Sequence, residues 1–163
     1  MPGFELFGEE EKKQVNEVLE TGILMRYGFD GPRKGIWKSK ELEQAICQTF
    51  GSTYAQLTSS GTAALTTAMA ALGIGADDEV IMPAFTFVAS FEAVLSMGAI
   101  PVLVDIDETL TLSPEAVKAA ITTKTKCIMP VHMCGSMADL DALKEICDTH
   151  NLILLEDACQ SIG

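Results

Sequence analysis

Leu57-Thr58-Ser59-Ser60-Gly61-Thr62-Ala63-Ala64-Leu65 passes from an apolar residue through small hydroxylated positions and one glycine into a run of good helix formers. That order reads as a strand, a tight turn and a helix start. The first amides of a helix have no intrahelical partner and point, with the positive end of the helix dipole, at whatever lies above them. Gly61 lets the backbone approach an anion closely, and the hydroxyls of Ser60 and Thr62 add hydrogen-bonding groups. Two readings fit the stretch by itself: a capped helix without a ligand, or a seat for a phosphate.

Around it the pattern alternates. Short apolar runs predict strands over 54–58, 79–83, 100–105, 126–131 and 152–155. Helical spacing predicts helices over 62–72, 87–97 and 138–150, with another beginning at Ser113-Pro114-Glu115, a capping serine followed by proline and an acid. Strands alternating with helices predict parallel pairing, right-handed crossovers and a sheet covered on both faces. Ligands of such sheets sit beyond the carboxyl ends of the strands. Upstream, 9–19 predicts an amphipathic helix ending near Gly22, and 39–50 a second helix with Ser39 as cap and Gly51 as stop. Between them Gly22, Gly28, Gly31, Pro32 and Gly35 mark an irregular arm.

The chain has 163 residues, 48% of them hydrophobic, enough for a sizeable core. A net charge of −12 argues against general affinity for nucleic acid, which is itself a polyanion. Against that background Arg26, Arg33, Lys34, Lys38 and Lys40 form one basic cluster. The five cysteines are odd in number and lack a C-x-x-C pair, so reduced thiols are expected rather than a disulfide frame or zinc site. No apolar run reaches the length of a membrane span, and the acidic start lacks the pattern of a signal peptide. A cytoplasmic protein without membrane contact is expected.

Just past the expected strand ends come Ser60-Gly61-Thr62, Phe85-Thr86-Phe87, Asp105-Ile106-Asp107, His132 and Glu156-Asp157-Ala158-Cys159-Gln160. A phosphate cup, an aromatic face, a carboxylate and an amide at one sheet edge meet the demands of pyridoxal phosphate. Its pyridine nitrogen needs a carboxylate to stay protonated, and Asp157 is the candidate. An acidic pair closing Leu152-Ile153-Leu154-Leu155 is a costly placement without a partner, although a helix cap is the simpler reading of Asp157. Phe87 reads equally as a core aromatic. His132 reads as a satisfied loop histidine or a substrate-side group, and Asp105 and Asp107 as turn residues rather than metal ligands.

The segments 58–65, 78–83 through Thr86-Phe87, 98–102, Thr125-Lys126, Pro130-Val131-His132 and 156–160 resemble, in order and spacing, the DegT/DnrJ/EryC1/StrS sugar aminotransferase family. The resemblance implies an α/β fold, the aspartate-aminotransferase-like large domain of PLP fold type I: a mainly parallel sheet with helices on both faces, incomplete at the C-terminus. It divides the chain into N-terminal helices with a substrate or dimer arm (1–51) and the first part of the cofactor domain (52–163), with the small C-terminal domain absent. Ser60, Gly61 and Thr62 would hold the cofactor phosphate, and Phe87 would cover the ring. Asp157 would pair with the pyridine nitrogen and Gln160 reach the phenolic oxygen. A homodimer with shared active sites is implied as well.

Met1-Pro2-Gly3-Phe4-Glu5-Leu6-Phe7-Gly8, the Arg26-Tyr27 arm and His132-Met133-Cys134-Gly135-Ser136-Met137 resemble the branch forming 8-amino-3,8-dideoxy-manno-octulosonate for lipopolysaccharide. Glutamate would be the amino donor and an oxidised sugar acid the acceptor. A guanidinium grips a carboxylate with two parallel hydrogen bonds, which makes Arg26 and Arg33 the expected substrate contacts. The arm departs from the family's commoner short Gly-Pro turn. No lysine follows Lys144, so this chain is expected to lack the family's Schiff-base lysine and, alone, to be inactive. Three alternatives stand beside this reading: a nucleotide-sugar aminotransferase, a dehydratase of the same fold with histidine in the lysine's place, and a non-catalytic cofactor- or sugar-binding regulator.

Overall fold

Apolar runs flanked by helices settle into a parallel sheet in the computed structural model of the protein, which describes residues 3–161. The Met1-Pro2 pair of the N-terminal motif and the Gly163 end lie outside the described residues. The chain forms two compact units that divide between Leu57 and Thr58.

The first unit holds α1 (Glu9–Thr21), α2 (Asp30–Arg33) and α3 (Lys38–Phe50). Glu11 accepts from the Gly8 N–H at 2.7 Å and so satisfies an orphan donor at the start of α1. Gly22 ends that helix at φ 67°, a left-handed conformation that suits glycine. α3 starts one residue before the expected cap: Trp37, not Ser39, is the N-cap, because the Glu41 carboxylate reaches back to the Trp37 N–H at 3.3 Å. The basic arm is less irregular than its glycines suggest, since α2 lies within it between the left-handed residues Phe29 and Lys34.

The expected strand over 54–58 does not form. The Leu57 N–H, which a ladder would have used, donates to Glu43 at 2.7 Å, and the Leu57 carbonyl accepts from the Gln56 side chain at 2.9 Å. With both backbone groups of Leu57 satisfied by side chains, no neighbouring strand is required of it.

The second unit contains α4 (Gly61–Ala71), β1 (Glu79–Pro83), α5 (Val88–Ser96), β2 (Ile100–Val104), α6 (Pro114–Ala120), β3 (Thr125–Ile128), α7 (Leu140–His150) and β4 (Ile153–Leu154). All pairings are parallel, in the order β2-β1-β3-β4. Side chains alternate across the sheet as period-two geometry demands. Val80, Met82, Cys127 and Met129 pack with Leu65 and Met69 of α4 and Ala93 and Val94 of α5. Ile81 and Ile128 face the opposite way, onto Val117 of α6 and Leu143 and Ile146 of α7. The expected parallel sheet with helices on both faces is therefore what the unit adopts. Each of the buried valine, isoleucine, leucine and methionine side chains among these contributes about 1.5–3 kcal/mol by leaving water. Ser113 caps α6 as its sequence predicts, accepting from the Ala116 N–H at 3.3 Å. No helix of the described residues is long and apolar enough to cross a membrane.

Candidate functional site

The carboxyl edge of the sheet gathers four segments of the second unit: the start of α4, the turn between β1 and α5, the segment after β3, and the segment after β4. At the first, Ser60 is the N-cap of α4, and its Oγ accepts from the Ala63 N–H at 3.1 Å. The Ala64 N–H goes to the Ser60 carbonyl at 3.0 Å. The amides of Gly61 and Thr62 then make no hydrogen bond among the described residues. Two donors at a positive helix end are left for an anion.

The segment after β4 comes directly against this helix start. A Cβ built on Gly61 would lie 3.0 Å from Cys159 Sγ, so the glycine is what permits the approach. The Cys159 N–H in turn donates to Asp157 Oδ1 at 3.3 Å. Asp157 is 6% exposed and extends the pairing of β3 and β4 through a parallel bridge with Val131. Its Oδ2 accepts from Ser90 Oγ at 2.7 Å. No cationic side chain forms an ion pair with Asp157 among the described residues. Burial, together with the neighbouring Asp157 charge, pushes the Cys159 thiol above its ordinary range.

Phe87 is the N-cap of α5 and is 65% exposed. Gln160 accepts from the Cys134 N–H at 2.7 Å through Oε1, and this ties the segment after β4 to the segment after β3. Its side-chain N–H groups make no hydrogen bond among the described residues.

His132 is not open to a ligand. Its ring is buried, Nδ1 accepts from the Ala138 N–H at 3.2 Å, and Nε2 lies 3.0 Å from Glu156 Oε2. An accepting Nδ1 leaves the proton on Nε2, so the ring donates to Glu156. The His132 backbone N–H also donates to the Asp157 carbonyl at 3.1 Å, so this residue fastens the segment that carries Asp157. Both ring nitrogens of this residue, expected on the substrate side, thus have partners within the chain. Asp107 closes a turn by accepting from the Thr109 N–H at 2.8 Å.

The two arginines of the first unit part company. Arg26 is 42% exposed and donates to Glu43 at 2.6 Å and to Gln56 at 3.2 Å. The Leu57 N–H and Arg26 together hold the Glu43 carboxyl below the usual range. Arg33 is 5% exposed, with Nε donating to the Gly28 carbonyl at 2.8 Å and a terminal nitrogen to the Met25 carbonyl. Its guanidinium lies 4.5 Å from the centre of the Trp37 ring. These contacts fold the arm onto itself and engage the guanidinium expected to contact a substrate.

Ser90 enters the site unread in the sequence, while Thr86 and Cys159 lay in segments expected at the strand ends without an assigned role. The available signal was the spacing Thr86-Phe87-x-x-Ser90, which places a hydroxyl one helical turn beyond the aromatic residue.

Similar arrangements occur in solved structures. NtdA from Bacillus subtilis with bound cofactor PMP is 35% identical with a TM-score of 0.86, over 99% of this chain and 36% of that one. A 3-amino-5-hydroxybenzoic acid synthase is 40% identical with a TM-score of 0.87, over 95% of this chain and 39% of that one. E. coli GDP-4-keto-6-deoxy-D-mannose-3-dehydratase with bound hydrated PLP is 30% identical with a TM-score of 0.81, over 96% and 40% of the two chains. This chain spans less than half the length of each. The sheet, the helix start at Gly61 and the buried carboxylate sit in a sequence whose residues 6–163 match the model of the DegT/DnrJ/EryC1/StrS aminotransferase family, and the chain belongs to that family.

Proposed function

We propose that this chain forms the cofactor-holding part of a pyridoxal-phosphate-dependent aminotransferase that moves an amino group from glutamate to an oxidised sugar. The observation that carries the proposal is a buried carboxylate without a cationic partner among the described residues, Asp157, joined through Cys159 to a helix start with two free amides. A buried charge is costly unless something of opposite sign meets it. The group that fits between a carboxylate and a helix N-terminus is cationic at one end and anionic at the other, as a protonated phosphopyridine is.

When bound, the cofactor supplies an electron-withdrawing ring for a carbanion next to nitrogen. The chain's own residues then have separable tasks. The amides of Gly61 and Thr62, with the Ser60 and Thr62 hydroxyls, hold the phosphate. Phe87 covers one face of the ring and excludes water from it. Asp157 keeps the proton on the pyridine nitrogen, and the free side-chain N–H groups of Gln160 donate to the phenolic oxygen.

For the acceptor we favour a sugar acid, 8-oxo-3-deoxy-manno-octulosonate, with 8-amino-3,8-dideoxy-manno-octulosonate as the product for lipopolysaccharide. Support comes from the resemblance of residues 1–8, 26–27 and 132–137 to that branch and from Arg26, the partly exposed guanidinium of the basic arm. In this reading Arg26 grips the carboxylate. Assembly as a homodimer with shared sites is included in the proposal, in keeping with the exposure of Phe4, Leu6, Tyr27 and Tyr54. The likeness to the E. coli dehydratase favours a second reading, a sugar dehydratase on the same fold.

The test pairs the pyridoxamine-phosphate form of the enzyme with oxidised octulosonate and, separately, with nucleotide-linked keto sugars. Conversion of the octulosonate to its 8-amino product is expected, with much slower reaction of nucleotide sugars. The reverse preference would reject the sugar-acid assignment, and loss of a hydroxyl without gain of nitrogen would favour the dehydratase.

A further inference from the structure

The carboxylate at the centre of the site is held by the same turn that presents the aromatic ring. Ser90 is 1% exposed, with its Oγ 2.7 Å from Asp157 Oδ2 and 2.9 Å from Thr86 Oγ1. A hydroxyl carries a single hydrogen and an ionised carboxylate only accepts. Ser90 therefore donates to Asp157, and Thr86 donates to Ser90. The other donor, the Cys159 N–H at 3.3 Å from Oδ1, is longer and weaker.

Resting on the functional reading above, we infer that Ser90 is a positioning residue that fixes the Asp157 carboxylate and aims it at the pyridine nitrogen of the cofactor, with Thr86 as the outer member of the relay. Without the Ser90 hydroxyl, a carboxylate that is 6% exposed loses its shortest donor and the contact that fixes its direction. A carboxylate turned away from the ring nitrogen no longer stabilises a protonated ring. The inference concerns one directional hydrogen bond rather than packing: Ser90 and alanine differ by one hydroxyl, and the helix start proposed to hold the phosphate lies on a different element.

The experiment measures equilibrium binding of pyridoxamine phosphate and of its 1-deaza analogue, in which C–H replaces the ring nitrogen. The ratio of the two affinities isolates the contact to the ring nitrogen, because phosphate and stacking contributions cancel. Ser90→Ala is expected to lower the wild-type preference for pyridoxamine phosphate about tenfold, the effect of removing a hydrogen bond to a charged group, while leaving affinity for the analogue unchanged. Ser90→Thr, which keeps the hydroxyl, is expected to retain the preference. Thr86→Val is expected to lower it about threefold, and that variant decides the matter should Ser90→Ala fail to fold. Equal weakening of both ligands, or an unchanged ratio in Ser90→Ala or Thr86→Val, would overturn the inference alone. A wild-type protein that does not distinguish the two ligands would overturn the functional reading and the inference with it.

Discussion

Arg26 and Arg33 share a charge, a loop and a sequence neighbourhood, yet one is open and the other is used up. Arg33 gives its donors to the Gly28 and Met25 carbonyls and stacks on Trp37, and it is 5% exposed. Replacing it by Met removes two charge-assisted hydrogen bonds and the stacking on Trp37, and the expected cost is about 1–3 kcal/mol. Arg26→Met removes a partly solvated ion pair and is expected to cost about 1 kcal/mol or less. Trp37 is the sole tryptophan, so urea unfolding followed by its fluorescence reports on the arm directly. Equal stability of the two variants would mean that the inward contacts of Arg33 contribute nothing. The difference between the two was not legible in the sequence, because the spacing of arginines along a glycine-rich loop does not say which way the loop curls. The unusual placement of Asp157 was legible, because two acids closing an apolar strand are hard to explain without a ligand or a cap, and the residue is 6% exposed.

At the scale of elements, the decisive contact is the start of α4 against the segment after β4. Gly61 and Cys159 form a matched pair, since a Cβ at position 61 would come within 3.0 Å of the Cys159 sulfur. Gly61→Ala is therefore expected to push the segment away and weaken pyridoxamine-phosphate binding about tenfold, while Cys159→Ala alone has a small effect. The double variant is expected to recover most of the loss, a coupling between touching residues that a double-mutant cycle in binding affinity measures. Strict additivity would show that the two segments do not meet. The helices and the four strands of the second unit followed from periodicity and caps: Ser60, Ser113 and the apolar runs of β1 and β3 each carry their own instruction. The strand expected over 54–58 failed because pairing is a property of two segments. Glu43, from a distant helix, satisfied the Leu57 N–H instead.

For the whole molecule, the two-faced core of the second unit sets how stability responds to pH. Cys127 lies in β3 with no exposed surface, and burial, followed by the neighbouring Cys147, pushes its thiol from 9.0 up to about 12. A thiol raised in the folded state contributes stability that is fully present below pH 9.0 and is lost as pH rises toward 12. Across that window the unfolded chain has released the proton while the native chain keeps it. The expected slope from this one group is about −1.4 kcal/mol per pH unit. Urea midpoints of wild type and Cys127→Val between pH 8 and 10.5 are expected to diverge with rising pH, the wild type falling faster. Parallel curves would mean that the thiol ionises freely in the folded protein.

The sequence by itself determined the alternation of strands and helices, the parallel sheet covered on both faces, and the segments that end at its carboxyl edge. Periodicity, capping and turn chemistry act within a few residues and are written in the chain. Only the tertiary structure decided that Cys159 seats against Gly61, that Ser90 supports Asp157, that His132 fastens the backbone beside it, and that Arg33 turns inward. Those outcomes depend on which side chains from distant segments arrive at the same place, where buried polar groups take the partners that geometry offers.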